Sequence, residues 1–247
     1  MEFGIASIVF SIYLSSQILA FIGLGLTFWG AIFILTVPKR YVKSDLLVSG
    51  IYPEYSNFDR IANYLGTVEK AYYIPSYLRI EDVPENLTGL KEPIVFVSAE
   101  PDFKMLPVED ISEGKFLPSK NKGVLLTPPG LGILKRVEEK IKATQNDFGI
   151  KELCEALPRL ILEDSDFAKE MTMNLEEENV HLTIKDSIYK SLYNSEEASK
   201  SIKILGCPIT SAIACLLAQA SRKTVTIAKT EMLPDGSTIE TDYHIIG

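Results

Sequence analysis

Side chains able to do chemistry are few in this chain: cysteines at 154, 207 and 215, and histidines at 181 and 244. Cys207 stands directly before Pro208 in "ILGCPITSAIACLLAQASRKT", where the apolar spacing starts a helix. A thiol there meets free helix amides and the positive end of the helix dipole, the setting in which its pKa falls and it becomes a nucleophile or redox group. Such an enzyme also needs a base within reach, and only His181 or His244 could supply an imidazole. Both histidines alternate with apolar strand residues and are expected on a solvated face, although a Cys207–His244 pair stays open. Neither C-x-x-C nor H-x-x-x-H spacing occurs, so no metal site is expected. Cys215, among alanines in mid-helix, and Cys154, beside Leu153 and Leu157, read as small core residues.

Two further stretches invite a chemical reading. "TPPGLG" (Thr127 to Gly132) resembles a phosphate loop in its glycines. It lacks the Lys-Ser/Thr pair that reaches phosphate and metal, and its prolines remove amide donors. No dinucleotide fingerprint appears elsewhere, so no cofactor is expected. The acidic residues Glu176 to Glu178, and Glu163, Asp164 and Asp166, read as solvated turns without calcium-loop spacing. The chemistry of the site is therefore expected to be binding. Met171, Met173, Tyr189, Tyr243 and Cys207 are the residues placed to line an apolar ligand pocket or partner surface.

The elements that position these residues lie in 146–247. Asp147 caps a helix carrying Leu153, Cys154 and Leu157, and Pro158 breaks it and begins a second. Met171, Met173 and Leu175 alternate with polar residues, as do Val180, Leu182 and Ile184, with a turn at Glu176 to Asn179. Ser187 caps a helix with Ile188, Leu192 and Tyr193, and Pro208 to Ser221 forms another. Val225 and Ile227 mark a strand, "LPDGS" a hairpin turn, and Ile239, Tyr243 and Ile245 the returning strand. The expected module is a four-stranded antiparallel sheet with helices on one face, in ααββααββ order.

Residues 39–145 form a proline-rich mixed α/β region. A short helix is expected from Ser56 or Asn57 to Leu65, strands at "AYYIP" and "PIVFVSA", and a strand pair in 114–130 turning at Lys120 to Gly123. Thr127-Pro128-Pro129 begins a helix whose apolar face, Leu131, Leu134, Val137 and Ile141, packs on the sheet.

Residues 1–38 are an anchor. From Phe3 to Pro38 there is no charge over 36 residues. One helix of that length would reach about 54 Å against a hydrocarbon core of about 30 Å, so a transmembrane helical hairpin turning near Ala20 to Gly25 is expected, with one long tilted helix extending out of the bilayer as the alternative. Lys39, Arg40 and Lys43 follow the anchor and no basic residue precedes it, which places the large domain in the cytoplasm. Tyr13, Trp29 and Tyr41 suit the membrane interface, with packing of Trp29 between the helices as an equal alternative. Gly23, Gly25, Thr27 and Gly30 allow close helix approach, within a homo-oligomer or onto a larger membrane complex. Three cysteines without a framework agree with a reducing compartment, so the sequon at Asn86 reads as an accident. After the anchor the net charge is −7 with no basic tract, which argues against nucleic acid as a partner.

The cysteine-led helix "CPITSAIACLLAQA", followed by "KTVTIAKTEMLPDGSTIETDYHI", resembles in element order the vinyl-4-reductase domain and the small subunits of the TRAPP tethering complex. That resemblance implies helices on one face of a four-stranded sheet and an apolar ligand pocket. The terminal strand lacks the Cys-x-Phe-type ending of many vinyl-4-reductase domains, so a metal or redox role is not implied. More broadly, "GLGLTFWGAIFILTVPKRYVKSDLL", "GVLLTPPGLGIL" and "GCPITSAIAC" together resemble an uncharacterised archaeal membrane-protein family. The whole reads as an α+β chain in the broad α/β class: a non-enzymatic binding or scaffold protein tethered to membrane lipid. An accessory subunit docking through its hairpin is the second reading, and a thiol enzyme using Cys207 the third.

Overall fold

The computed structural model describes residues 2–36, 44–66, 70–76, 92–100, 106, 110, 115–119, 121–144, 149–163, 167–194 and 199–247. Lys39, Arg40, Tyr41, Lys43, the sequon at Asn86, Lys120, Asp147, Asp164 and Asp166 lie outside these. The chain divides into two compact units, Met1–Lys43 and Ser44–Gly247.

In the first unit, α1 (Glu2–Tyr13) and α2 (Gln17–Thr36) run antiparallel. The turn comes at Leu14 to Ser16, with Ser15 in the left-handed region at φ 48°, and not near Ala20 to Gly25 as expected. A chain leaving a helix needs partners for its last carbonyls. Here the Leu14 amide donates to the Phe10 carbonyl and the Ser16 amide to the Ser11 carbonyl. "AFIGLG" stays helical because its glycines serve packing. A methyl on Gly23 would lie 2.8 Å from the Ile8 amide nitrogen and 2.9 Å from the Gly4 carbonyl oxygen, so the two backbones touch there. Gly25 has no atom within 4 Å of where its Cβ would stand and faces outward, while Gly30 is half-buried. Tyr13 and Trp29 project outward, Trp29 not being packed between the helices. At 1.5 Å per residue α2 spans about 30 Å, enough to cross a membrane, whereas α1 reaches only about 18 Å.

The second unit is built on one antiparallel sheet of seven strands, ordered β3-β2-β1-β6-β7-β5-β4. Its strands are β1 (Lys70–Ile74), β2 (Ile94–Ser98), β3 (Gly123–Leu126), β4 (Glu170–Glu176), β5 (Asn179–Lys185), β6 (Thr224–Met232) and β7 (Thr238–Ile246). The four C-terminal strands are present as expected, but they are not a sheet of their own. β1 joins β6, with Tyr72 opposite Thr226 and Tyr73 opposite Val225, and carries β2 and β3 with it. Thr226 Oγ1 adds a bond to the Ala71 carbonyl at 2.9 Å. A four-stranded sheet would leave the β6 edge open, an aggregation hazard that β1 removes.

The helices are α3 (Ser44–Leu65), α4 (Leu131–Thr144), α5 (Ile150–Leu162), α6 (Lys190–Tyr193), α7 (Ser199–Leu205) and α8 (Pro208–Ser221). Several differ from expectation. α3 starts twelve residues before Ser56 and runs through Pro53. α5 continues unbroken past Pro158, with Gly149 at its N-cap. The expected ααββααββ order is therefore αββαααββ after residue 146, with α6 a single turn. β3 pairs with β2, so the strand pair expected within 114–130 is absent among the described residues.

α8 is buried from Pro208 through Ala218, all round, as an apolar helix without a polar face must be. Together with α7 it is long and apolar enough to cross a membrane (Lys200–Ser221), yet it is mostly buried inside the protein. It is the central core helix, in contact with β1, β6 and β7 and with α4 and α5, while α5 also packs directly on β4. α4 thus packs on α8 and not directly on the sheet. "TPPGLG" and "GCPITSAIAC" meet at this contact, where the Gly130 amide donates to Ser211 Oγ at 3.1 Å. A Cβ on Gly130 would collide with the Ala212 amide and the Pro208 carbonyl.

Candidate functional site

The turn from α7 to α8 holds Cys207, fully buried, at the N-cap of α8. Gly206, at φ 68°, ends α7 by donating its amide to the Ile202 carbonyl at 2.8 Å. The last carbonyls of a helix lack partners, and tyrosines from other elements supply them. Tyr55 of α3 donates to the Gly206 carbonyl at 2.7 Å, and Tyr73 of β1 to the Leu205 carbonyl at 2.5 Å. Tyr243 of β7 donates to the Thr210 carbonyl at 2.9 Å. Burial, then the neighbouring Cys207 thiol, raises the pKa values of Tyr55 and Tyr243 well above the ordinary phenol range, and burial, then Cys215, does so for Tyr73. Burial first and Cys207 second push Tyr189 up to about 12. These phenols therefore stay protonated and act as donors.

The thiol has no imidazole partner. Tyr243 is buried on the helix-covered face of β7, so His244 points to the other face, where its Nδ1 lies 2.9 Å from Asn179 Oδ1. His181 is on that outer face too, between buried Val180 and Leu182, with Nδ1 2.6 Å from Asp242 Oδ1. Its Nε2 lies 3.4 Å from Thr183 Oγ1. The sheet stands between Cys207 and both histidines. Cys215 and Cys154 are buried, which raises both thiols, Cys154 to about 11 with Glu155 as a lesser cause. Among the described residues no group of three or more histidine, cysteine or acidic side chains could hold a metal.

The residues expected to line a pocket pack into the core instead. Met171, Tyr189 and Tyr243 are buried, Met173 is half-buried against the same cluster, and the Tyr189 ring lies 6.4 Å from Phe167. The open space is on the other side of the tyrosine cluster. A cleft of about 220 Å³ lies between α3, the end of β3 with its following turn, and the end of α7. Tyr55 forms its floor, Phe58, Ile61, Leu126, Pro129 and Leu205 its walls, and Glu54, Asn57 and Thr127 its polar rim. Burial alone raises the Glu54 carboxyl above its ordinary value, and among the described residues that carboxylate has no ion-pair partner.

The cleft was missed because its residues come from separate elements. The one local signal was Glu54 and Tyr55 following Pro53 on a helix whose start lay hidden upstream. The family model for a domain of unknown function, DUF7982, matches residues 2–241. The chain belongs to this family. Because the match runs from α1 into β7, the apolar hairpin and the sheet domain are both part of what defines DUF7982. No curated protein and no solved structure matches the chain.

Proposed function

We propose that this DUF7982 chain is a membrane-anchored, non-enzymatic binding protein whose cytoplasmic domain holds an apolar group in the cleft between α3 and the Thr127–Gly130 turn. The cleft carries this reading. It is walled by aromatic and aliphatic side chains, with a few polar groups at one edge, the usual make-up of a binding site. At about 220 Å³ it is smaller than most drug-sized sites, so it suits a compact ligand or one or two side chains of a partner subunit. Lys39, Arg40 and Lys43 after the anchor support the cytoplasmic side.

A second reading, an accessory subunit docked through its hairpin onto a larger membrane complex or a second copy, is supported by Gly25, which the hairpin leaves unpacked. Native mass spectrometry from mild detergent tests both. In the wild type a small molecule or partner is expected to be retained. Thr127→Trp, which fills the exposed rim, is expected to release it while far-UV circular dichroism stays unchanged. Retention unaffected by Thr127→Trp but lost in Gly25→Leu refutes the cleft reading in favour of the hairpin. Loss in neither variant refutes both.

A further inference from the structure

The cleft between α3, the end of β3 and the end of α7 carries charge of one sign only. Among the described residues that line it, Glu54 alone is charged, and no lysine, arginine or histidine joins it. Arg60 follows Glu54 by six residues, about 120° round the helix, and so leaves α3 on another face. Asp59, the other carboxylate of this stretch, is engaged by Ser201 Oγ. The floor offers no free donor, because the Tyr55 hydroxyl already donates to the Gly206 carbonyl at 2.7 Å. Polar recognition therefore falls to the rim: the Glu54 carboxylate, the Asn57 amide and the Thr127 hydroxyl.

That rim discriminates by charge. Glu54 is drawn partly out of water beside apolar walls, and burial alone raises its carboxyl. An occupant with an ammonium group would offset the lost hydration. One with a carboxylate or phosphate would add like charge, and a neutral one would take water from Glu54 and give nothing in exchange. At about 220 Å³ the space suits a ring or a short alkyl group and not a lipid tail. We propose that the cleft binds a compact monoamine, with its apolar body against Phe58 and Leu126 and its ammonium at Glu54. This rests on the reading of the cleft as a binding site and gives that site a ligand class.

The test titrates the full chain in detergent with cyclohexylammonium, cyclohexanol and cyclohexanecarboxylate, which share one ring and differ in the group it bears. Methyl resonances of Ile61, Leu126 and Leu205 report the cleft, and that of the exposed Ile18 in the hairpin reports uptake into the micelle. Saturable shifts confined to the cleft methyls are expected. The ammonium should bind about five-fold tighter than the alcohol, the upper end of what an exposed ion pair yields, with the carboxylate weakest. Glu54→Gln should bring the amine to the alcohol's affinity and leave the alcohol unchanged, a change of ratio that a merely structural role would not produce. Equal binding of amine and alcohol, or a preference that survives Glu54→Gln, overturns the amine assignment and leaves the cleft reading standing. Shifts at Ile18 in step with those of the cleft methyls assign the signal to the micelle and overturn it as well. Absence of saturable shifts with all three compounds also overturns it, and the cleft reading falls too where Thr127→Trp releases nothing in the native mass spectra.

Discussion

Gly130→Ala and Gly132→Ala, two residues apart, are expected to change stability in opposite directions. A methyl on Gly130 would lie 2.7 Å from Ala212 Cα and closer still to the Ala212 amide and the Pro208 carbonyl. All three are main-chain atoms of a buried helix, so no side chain can swing away. Restoring ordinary contacts of about 3.5–4 Å requires α4 and α8 to part by roughly 1 Å. That also stretches the Gly130 amide bond to Ser211 Oγ. Overpacking of this kind costs about 1–3 kcal/mol. The lost backbone freedom of the unfolded chain returns about 0.4–1 kcal/mol, leaving a net loss of about 0–2.6 kcal/mol. Gly132 lies within α4 and has nothing within 4 Å of its Cβ position, so alanine there stabilises by about 0.5–1 kcal/mol. For a domain of this size each kcal/mol is worth roughly 2–4 °C in Tm. Unfolding of the full chain at fixed detergent, followed by far-UV circular dichroism, separates the two variants. Equal shifts, or a Gly130→Ala protein more stable than wild type, would refute the close contact of α4 with α8.

All three thiols are expected to be inert toward a disulfide reagent in the native protein at pH 8 and to react at once in denaturant, because each is buried. One equivalent of fast native reaction, lost in Cys207→Ala, would restore the thiol-enzyme reading. For the loop at Asp110, the bonds from Lys115 and Ser119 lower the carboxyl to about 2 against about 3.9 unfolded, so its support is present above about pH 3.9 and lost as pH falls through about 2. Hydrogen exchange of the Ser119 amide should accelerate across that window in the wild type, and a Ser119 amide equally protected in Asp110→Asn would refute the role assigned to the carboxylate.

Local signals located much of the fold. The hairpin turn at Leu233 to Ser237 formed as read, with Gly236 at φ 66° and Asp235 accepting from the Ser237 and Thr238 amides. Alternation along β5 and β7 put His181 and His244 on the outer face. Pro158 misled, because a proline costs one helix bond and packing on both sides can outweigh it, as it also does at Pro53 within α3. The sheet was under-counted for another reason. Tyr72 and Thr226 face each other across more than 150 residues of chain, and neither strand carries a mark of its partner.

Residue type by itself determined that 3–38 carries no charge and that Pro208–Ser221 is a helix of small and apolar residues, because hydropathy and period are properties of neighbours. Only the tertiary structure decided which covering each apolar helix receives, a distinction that length and hydropathy cannot make between α2 and α8. It also decided that Cys207 is sealed behind tyrosine hydroxyls, one sheet away from either histidine. The cleft arises where α3, the turn after β3 and the end of α7 converge, and such a space belongs to no single segment.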